Sequence, residues 1–444
     1  MDTALPATAE VRRLSAQGRG WRWTSRLLAV SVLIPLLVIA GSWLVISPEI
    51  WAHLGATLLP ELLSNTAVLI LGVGLGTVLL GVSLAWLTTM CEVPGRALFE
   101  WALMLPFAVP TYVLAFVFLG AMDFAGPVQG LLRSAFGLSP RWALEVRNGF
   151  GVVSVMTLVL YPYVYMLTRV AFLGQGQSTF EAARSLGLNA WQAFWRVSLP
   201  MARPGIMAGL SLALMEALAD FGAVAVFNYD TFTTAIYKAW FGFFDLHSAA
   251  QLASLLLALV LVALTVERYF RARSRYAESG RTAGQGRFRL RGWRAWGATL
   301  YTLTVLLLAF GAPVTQLGIW AWEARGDLDG RYADLLGHTF TLGVSAAFLT
   351  VFGAFVLAYA HRYYGDRFTR WSVRVGTLGY ALPGSVLAVG VMLSLTWFDQ
   401  RLADAWLWLT GVEPGLVLAG TVVALLMAYF ARFLAVAFGP VDSA

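Results

Sequence analysis

The chain has 444 residues, of which 59% are hydrophobic and only 12% charged, against roughly 45–50% and 25% in ordinary globular proteins. With a mean hydropathy of +0.71, this composition excludes a disordered chain, a disulfide-rich secreted domain and a typical soluble enzyme, and leaves an all-α polytopic membrane protein lodged in a lipid bilayer. The net charge of +7 reads as membrane topology rather than as a nucleic-acid footprint, because loops on the cytoplasmic side collect Arg and Lys.

In chain order, residues 1–26 form a basic N-terminal segment containing Arg12, Arg13, Arg19, Arg22 and Arg26. The first apolar run, 27–46, is too long for a signal-peptide core and reads as an uncleaved helix. A hydrocarbon core about 30 Å thick needs roughly 20 apolar residues per helix. Runs of that kind follow at 65–90, 97–120, 149–172, 204–228, 248–267, 298–320, 337–360, 375–397 and 415–437, which gives ten predicted spans. With the N-terminus placed inside, 24 basic residues fall on the cytoplasmic side and 7 on the other. The expected orientation is therefore N-in and C-in. Gly72, Gly74 and Gly76 lie within the second span, where small residues allow close helix packing.

The loop 173–203 carries the sharpest pattern. Ser178 and Glu181 are spaced as a capping box that starts a helix. Gly187 can end that helix in the left-handed conformation, and Asn189 can cap a second one. Leu186, Ala190, Phe194 and Val197 would then share an apolar face, with Pro200 stopping the helix and Pro204 opening the next span. An apolar stripe outside the bilayer calls for a partner.

Within that loop, Glu181-Ala182-Ala183, Gly187, Phe194, Val197 and Leu199-Pro200 resemble the EAA loop of ABC-importer permease subunits; only Val197 departs from the pattern, where Ile is usual. The resemblance implies an ATPase-coupling loop that docks on ABC ATPase subunits at the cytoplasmic face. It also implies a periplasmic substrate-binding protein as a partner, and multi-pass residence in the bacterial inner membrane. Residues 213–267 narrow the likeness to the ferric-iron importer permeases, in which two permease halves are fused. Thiamine, polyamine and phosphonate permeases share the loop but look less similar around 228–247.

The chain itself shows no means of hydrolysing ATP. A P-loop requires GxxxxGK[ST], and the sole lysine, Lys238, stands in AIYKAWF without those glycines. ATP and Mg are expected on a separate subunit, with no cofactor and no catalytic residue in this chain. Glu216 and Asp220 lie in the fifth predicted span at i, i+4, hence on one helix face. Acids at membrane depth face a cavity or a partner, so they are candidates for the translocation path or for a hydrogen-bonded packing pair. They would also be the coupling acids if the chain were instead an ion-coupled secondary transporter. Asp220 precedes Phe221-Gly222, where a helix break is expected. Glu100, near a membrane face, reads as structural. His53, His247, His338 and His361 are scattered, so no metal site is expected. With Cys91 as the only cysteine, no internal disulfide can form. Tyr229, Phe232, Tyr237, Trp240 and Phe243 form an aromatic set in an outer loop, read as an interfacial belt or a contact for the binding protein.

Finally, the chain repeats. Residues 63–115 match 336–388 at an offset of 273, with Ala108-Val109-Pro110 falling on Ala381-Leu382-Pro383. A second block aligns at 266, with Tyr163 on Tyr429 and Val170-Ala171-Phe172 on Val436-Ala437-Phe438. Six spans separate the copies, so they are expected to run parallel about an axis along the membrane normal. The expected organisation is a first permease half over 27–267, a basic cytoplasmic linker over 268–297, and a second half over 298–444 with four spans. The second copy of the EAA motif would begin near position 447, so the second half is expected to be C-terminally incomplete, and the chain alone is not expected to transport.

Overall fold

A computed structural model describes residues 7–443 apart from 45–47, 140, 142, 176–182, 184, 273–286, 328 and 413. The main helices are α1 (Ala7–Gly41), α2 (Pro48–Thr89), α3 (Arg96–Ala102), α4 (Thr111–Met122), α5 (Pro127–Phe136), α6 (Gly149–Gly174) and the short α7 (Ala190–Ala193). They continue as α8 (Leu199–Ala219), α9 (Gly222–Val226), α10 (Phe232–Tyr237), α11 (Leu246–Ala272), α12 (Trp293–Leu306), α13 (Ala312–Glu323), α14 (Gly330–Tyr364), α15 (Arg367–Gly376), α16 (Gly384–Thr410) and α17 (Val422–Ser443). Among the described residues, ten helical stretches are long and apolar enough to cross a membrane. Each overlaps one of the ten predicted runs, so the all-α polytopic class holds.

Three predicted spans differ in detail. The runs expected at 97–120 and 375–397 are not continuous helices. Each is a short helix, a single-turn 3-10 segment (Leu105–Ala108 and Thr377–Ala381) and a longer helix. A proline fixes the restart in both: Pro110 has φ −58° and ψ 142°, and Pro383 has φ −57° and ψ 143°. That extended ψ cannot belong to a helix, and the ring clashes with a helical residue before it. The third is the run at 204–228, which ends at Ala219 and restarts at Gly222, at the break expected beside Phe221-Gly222.

The helices form two compact units, 49–235 with 258–326, and 1–48 with 236–257 and 327–444. In the first, α6 is the central helix. Tyr161 and Tyr165 are fully buried on it. Tyr161 donates to the Leu103 carbonyl at 3.0 Å and Tyr165 to the Glu100 carbonyl at 3.1 Å. Both acceptors lie at the frayed C-terminal end of α3, where carbonyls lack helical partners. The glycines of α2 bring it close to α6: a Cβ at Gly72 would lie 2.8 Å from Val153, and one at Gly76 2.5 Å from the Thr157 hydroxyl. A two-residue parallel pair, β1 (Cys91–Glu92) with β2 (Phe288–Arg289), ties the end of the basic 268–297 segment to the turn after α2, and Arg289 Nε donates to Glu92 at 2.9 Å.

In the second unit, α14 and α17 pack around Leu357, Ala431 and Leu434. Asp366 caps α15 by accepting the Thr369 amide at 2.7 Å, with Arg26 3.6 Å away. Burial works against the Asp366 carboxylate, but the Thr369 hydrogen bonds and the charges of Arg22 and Arg26 outweigh it and hold its pKa below the ordinary value. A carboxylate depressed in the folded state stabilises the fold above its unfolded pKa, about 3.9, and loses that contribution as pH falls through the folded pKa. Melting temperature in detergent is therefore expected to fall below about pH 4, and Asp366→Asn should flatten that fall. Parallel melts at pH 3 and pH 7 check this.

Candidate coupling loop and membrane acids

The loop is built outward from the end of α6. Gln175, buried just past that helix, donates to the Ser198 carbonyl at 3.0 Å and so clamps the two ends of the loop together. Glu181 and Ala182, with the Ser178–Glu181 capping box, lie outside the described residues. Ala183 is buried and helical. Gly187 then adopts φ +87°, and the Leu188 amide reaches back to the Ala183 carbonyl at 3.2 Å. This is a Schellman stop, in which the residue at the left-handed position is glycine because a Cβ is strained there. The next helix starts with a reciprocal cap. The Gln192 amide donates to Asn189 Oδ1 at 2.8 Å, and the Asn189 amide donates to Gln192 Oε1 at 3.1 Å.

Pro200 does not stop that helix, contrary to expectation. α7 runs through a π-turn over Phe194–Ser198 into α8 without a break. The Leu199 amide bonds to the Phe194 carbonyl five residues back. The widened turn makes room for the Pro200 ring and absorbs its missing N–H. The expected helix stop at Pro200 is therefore replaced by one continuous rod leading from the loop into α8.

The expected apolar face also divides. Phe194 points inward, 8% exposed, with its ring 4.5 Å from Trp86, itself 5.7 Å from Phe172. Val197 and Leu199 are half-buried beside it. The face left open is formed by Leu186, 85% exposed, with Trp191 and Trp195, 68% and 51% exposed. The two indoles, at i and i+4 with centroids 5.5 Å apart, were not singled out from the sequence. Their helical spacing beside Phe194 was the available signal. Two tryptophans standing in the open supply the large amphipathic anchors that concentrate binding energy at protein interfaces.

The acids part company. α8 ends at Ala219, and Asp220 is extended at ψ 129°. The two carboxylates therefore do not share one helix face. Asp220 accepts the Ala223 amide at 2.8 Å, capping α9, and also accepts the Thr111 hydroxyl at the start of α4. Its own carbonyl accepts from the Thr233 hydroxyl at 2.8 Å. It is the knot of a broken helix. Glu216 sits one turn earlier, half-buried on α8. Glu100 is held by Arg96 and by Arg169, the latter at 3.2 Å. Among the described residues no three His, Cys, Asp or Glu side chains gather as metal ligands. Of the outer aromatic set, Phe232 is buried and Tyr229 donates to the Asn65 carbonyl at 3.3 Å, whereas Tyr237 and Phe243 are exposed.

The chain is a multi-pass helical protein in which a tryptophan-bearing loop runs directly into a membrane helix. Residues 77–276 match the family model described as the binding-protein-dependent transport system inner membrane component. The Fe(3+)-transport system permease protein FbpB 2 of Haemophilus influenzae is 29% identical over 353 residues, 78% of this chain and 64% of that protein. The molybdenum transport system permease protein ModB of Escherichia coli is 30% identical over 201 residues, 44% of this chain and 86% of the relative. The sulfate transport system permease protein CysW of Escherichia coli is 36% identical over 147 residues, 33% of this chain and 48% of the relative. The chain thus spans a little under two thirds of the length of FbpB 2. It belongs to the family of binding-protein-dependent transport system inner membrane components. It is a multi-pass inner-membrane transport component and not an enzyme.

Proposed function

We propose that this chain forms the translocation path of an ATP-driven importer for ferric iron, receiving cargo from a periplasmic binding protein. In this reading ATP and Mg bind a separate ATPase, which docks on the loop 173–203 at the cytoplasmic face. The coupling residues are proposed to be Glu181, Ala182, Ala183, Gly187, Phe194, Val197, Leu199 and Pro200, of which Gly187 makes the bend and the last four lie on the helix that follows. The observation that carries the reading is the open pair Trp191 and Trp195 on a helix continuous with α8, with Leu186 exposed just before the Gly187 bend. Glu216 stands on the same rod and is proposed to line the path. Asp220 is proposed to hold the helix break in place.

Iron is favoured as cargo because the likeness to the Fe(3+) permease extends over 78% of the chain, while that to the molybdenum and sulfate permeases covers 44% and 33%. A tetrahedral oxyanion is the second reading, supported by the higher identity of the sulfate relative, 36%. Uptake of labelled ferric iron, molybdate and sulfate by cells with and without the intact locus separates the two. Loss of iron uptake alone is expected on deletion; loss of molybdate or sulfate uptake with iron unchanged would overturn the assignment.

A further inference from the structure

In the second unit, α15 packs against the start of α1 and turns a basic, aromatic face outward. Thr369, Ser372, Val375 and Gly376 are buried, whereas Arg367, Phe368, Arg370, Trp371 and Arg374 are exposed. The three arginines, at i, i+3 and i+7, form one stripe along the helix, with the two aromatics beside it. The height of the stripe is set by α1. Arg26 stands immediately before the apolar run 27–46, and its guanidinium carbon lies 5.0 Å from the centre of the Phe368 ring and 5.2 Å from that of Trp23. Arg22, one turn earlier, lies 5.5 Å from the Tyr364 ring. α15 therefore begins where α1 enters hydrocarbon, at the level of the lipid headgroups. Asp366, 3.6 Å from Arg26, offsets one of these charges. α3 occupies the same place in the first unit, ahead of the same 3-10 turn and restarting proline. Counted back by 273, Arg370, Trp371 and Arg374 fall on Ala97, Leu98 and Trp101. All three are exposed. A short helix among membrane spans that leaves leucine and tryptophan open presents that face to lipid. The matching face of α15 exchanges an alanine and a tryptophan for arginines.

We propose that the α15 face binds the headgroup of an anionic phospholipid, with Arg367, Arg370 and Arg374 on the phosphate and Phe368 and Trp371 against the glycerol and the first acyl carbons. Guanidinium forks match phosphate oxygens two at a time, and tryptophan favours the headgroup level. An acidic protein surface would also satisfy the arginines, but the open Leu98 and Trp101 at the matching positions favour lipid. The proposal rests on neither the cargo nor the ATPase.

The test places a photoreactive benzoyl-phenylalanine at Trp371 of the full chain, in phosphatidylcholine vesicles containing a minor fraction of phosphatidylglycerol, and identifies the lipid adducts by mass. Phosphatidylglycerol is expected to be enriched over its share of the bilayer by about five-fold or more, the factor that one arginine contributes near an anionic surface. The enrichment should vanish when Arg367→Gln, Arg370→Gln and Arg374→Gln are combined. It should survive an excess of glycerol 3-phosphate at constant ionic strength, because that probe carries the charge without the acyl chains. The same label at Leu98 leaves every arginine in place, so it does not depend on the folding of the triple variant, and it should capture the two lipids in proportion. Capture at Trp371 in proportion to bilayer composition would overturn the proposal, as would equal enrichment at Leu98. Loss of the enrichment to glycerol 3-phosphate would mark a site for soluble phosphates and overturn it too. An adduct at Trp371 with a protein in native membranes, to the exclusion of lipid, would assign the face to that protein and overturn the lipid assignment.

Discussion

Gly187→Val is expected to cut ATP-driven uptake to below about a tenth while leaving the membrane helices folded. Nothing lies within 4 Å of the position a Cβ would take at Gly187, so the obstacle is not space. It is the backbone angle, φ +87°. A residue with a Cβ in the left-handed region costs about 1–2 kcal/mol, more for a β-branched one. The loop would relieve that strain by abandoning the Schellman stop, and the first helix would lose its direction relative to Trp191 and Trp195. Gly187→Asn is the control, because asparagine tolerates this conformation. It should keep uptake within about three-fold of wild type. Uptake measured beside the thermal melting temperature distinguishes a lost coupling geometry from a lost fold: Val should lower the first far more than the second. If both variants transport normally, the bend at Gly187 has no part in coupling.

Asp220→Leu is expected to destabilise the first unit by about 2–6 kcal/mol, from leaving two buried hydrogen-bonding groups unsatisfied at about 1–3 kcal/mol each. The change strands the Ala223 amide and the Thr111 hydroxyl at the break between α8 and α9. The protein should largely fail to accumulate in the membrane. Asp220→Asn keeps an acceptor for the Ala223 amide, and the Thr111 hydroxyl can rotate to accept from the new amide. It should cost only about 1 kcal/mol and leave uptake near normal. A coupling acid in a secondary transporter would behave the opposite way, with the isosteric amide folding well and transporting nothing. Expression level and uptake of the two variants, read together, decide between these roles.

Much of the architecture was legible from hydropathy alone. Ten spans follow from the length a helix needs to cross hydrocarbon, and that rule does not depend on tertiary detail. The stop at Gly187 and the cap at Asn189 were legible too, because each depends on a single residue's conformational preference and its immediate neighbours. What escaped depends on contacts across the fold. Pro106 and Pro110 stood inside a predicted span as a readable warning, but apolar content outvoted them, and the break appears once tyrosines from α6 satisfy the carbonyls it frees. Pro200 misled in the other direction. Whether a proline ends a helix or is swallowed by a π-turn depends on what holds the flanking segments, here the Gln175 clamp and the buried Phe194. Phe194 and Trp195 are adjacent aromatics with opposite fates. Helical spacing groups Phe194 with the rest of its stripe but cannot say that Trp86 waits behind it. The pairing of β1 with β2 joins residues almost two hundred positions apart through two residues each, too short to leave a pattern.

The proposed coupling requires the open face of the 173–203 loop to meet an ATPase. A photoreactive benzoyl-phenylalanine placed in turn at Trp191, Phe194 and Trp195, and irradiated in native membranes, tests that contact directly. The expected result is an adduct with a nucleotide-binding ATPase subunit from positions 191 and 195, absent from the buried position 194 and lost when Gly187→Val is added. Adducts from 191 and 195 that contain only lipid or this chain itself, in membranes that still import cargo at the expense of ATP, would contradict it.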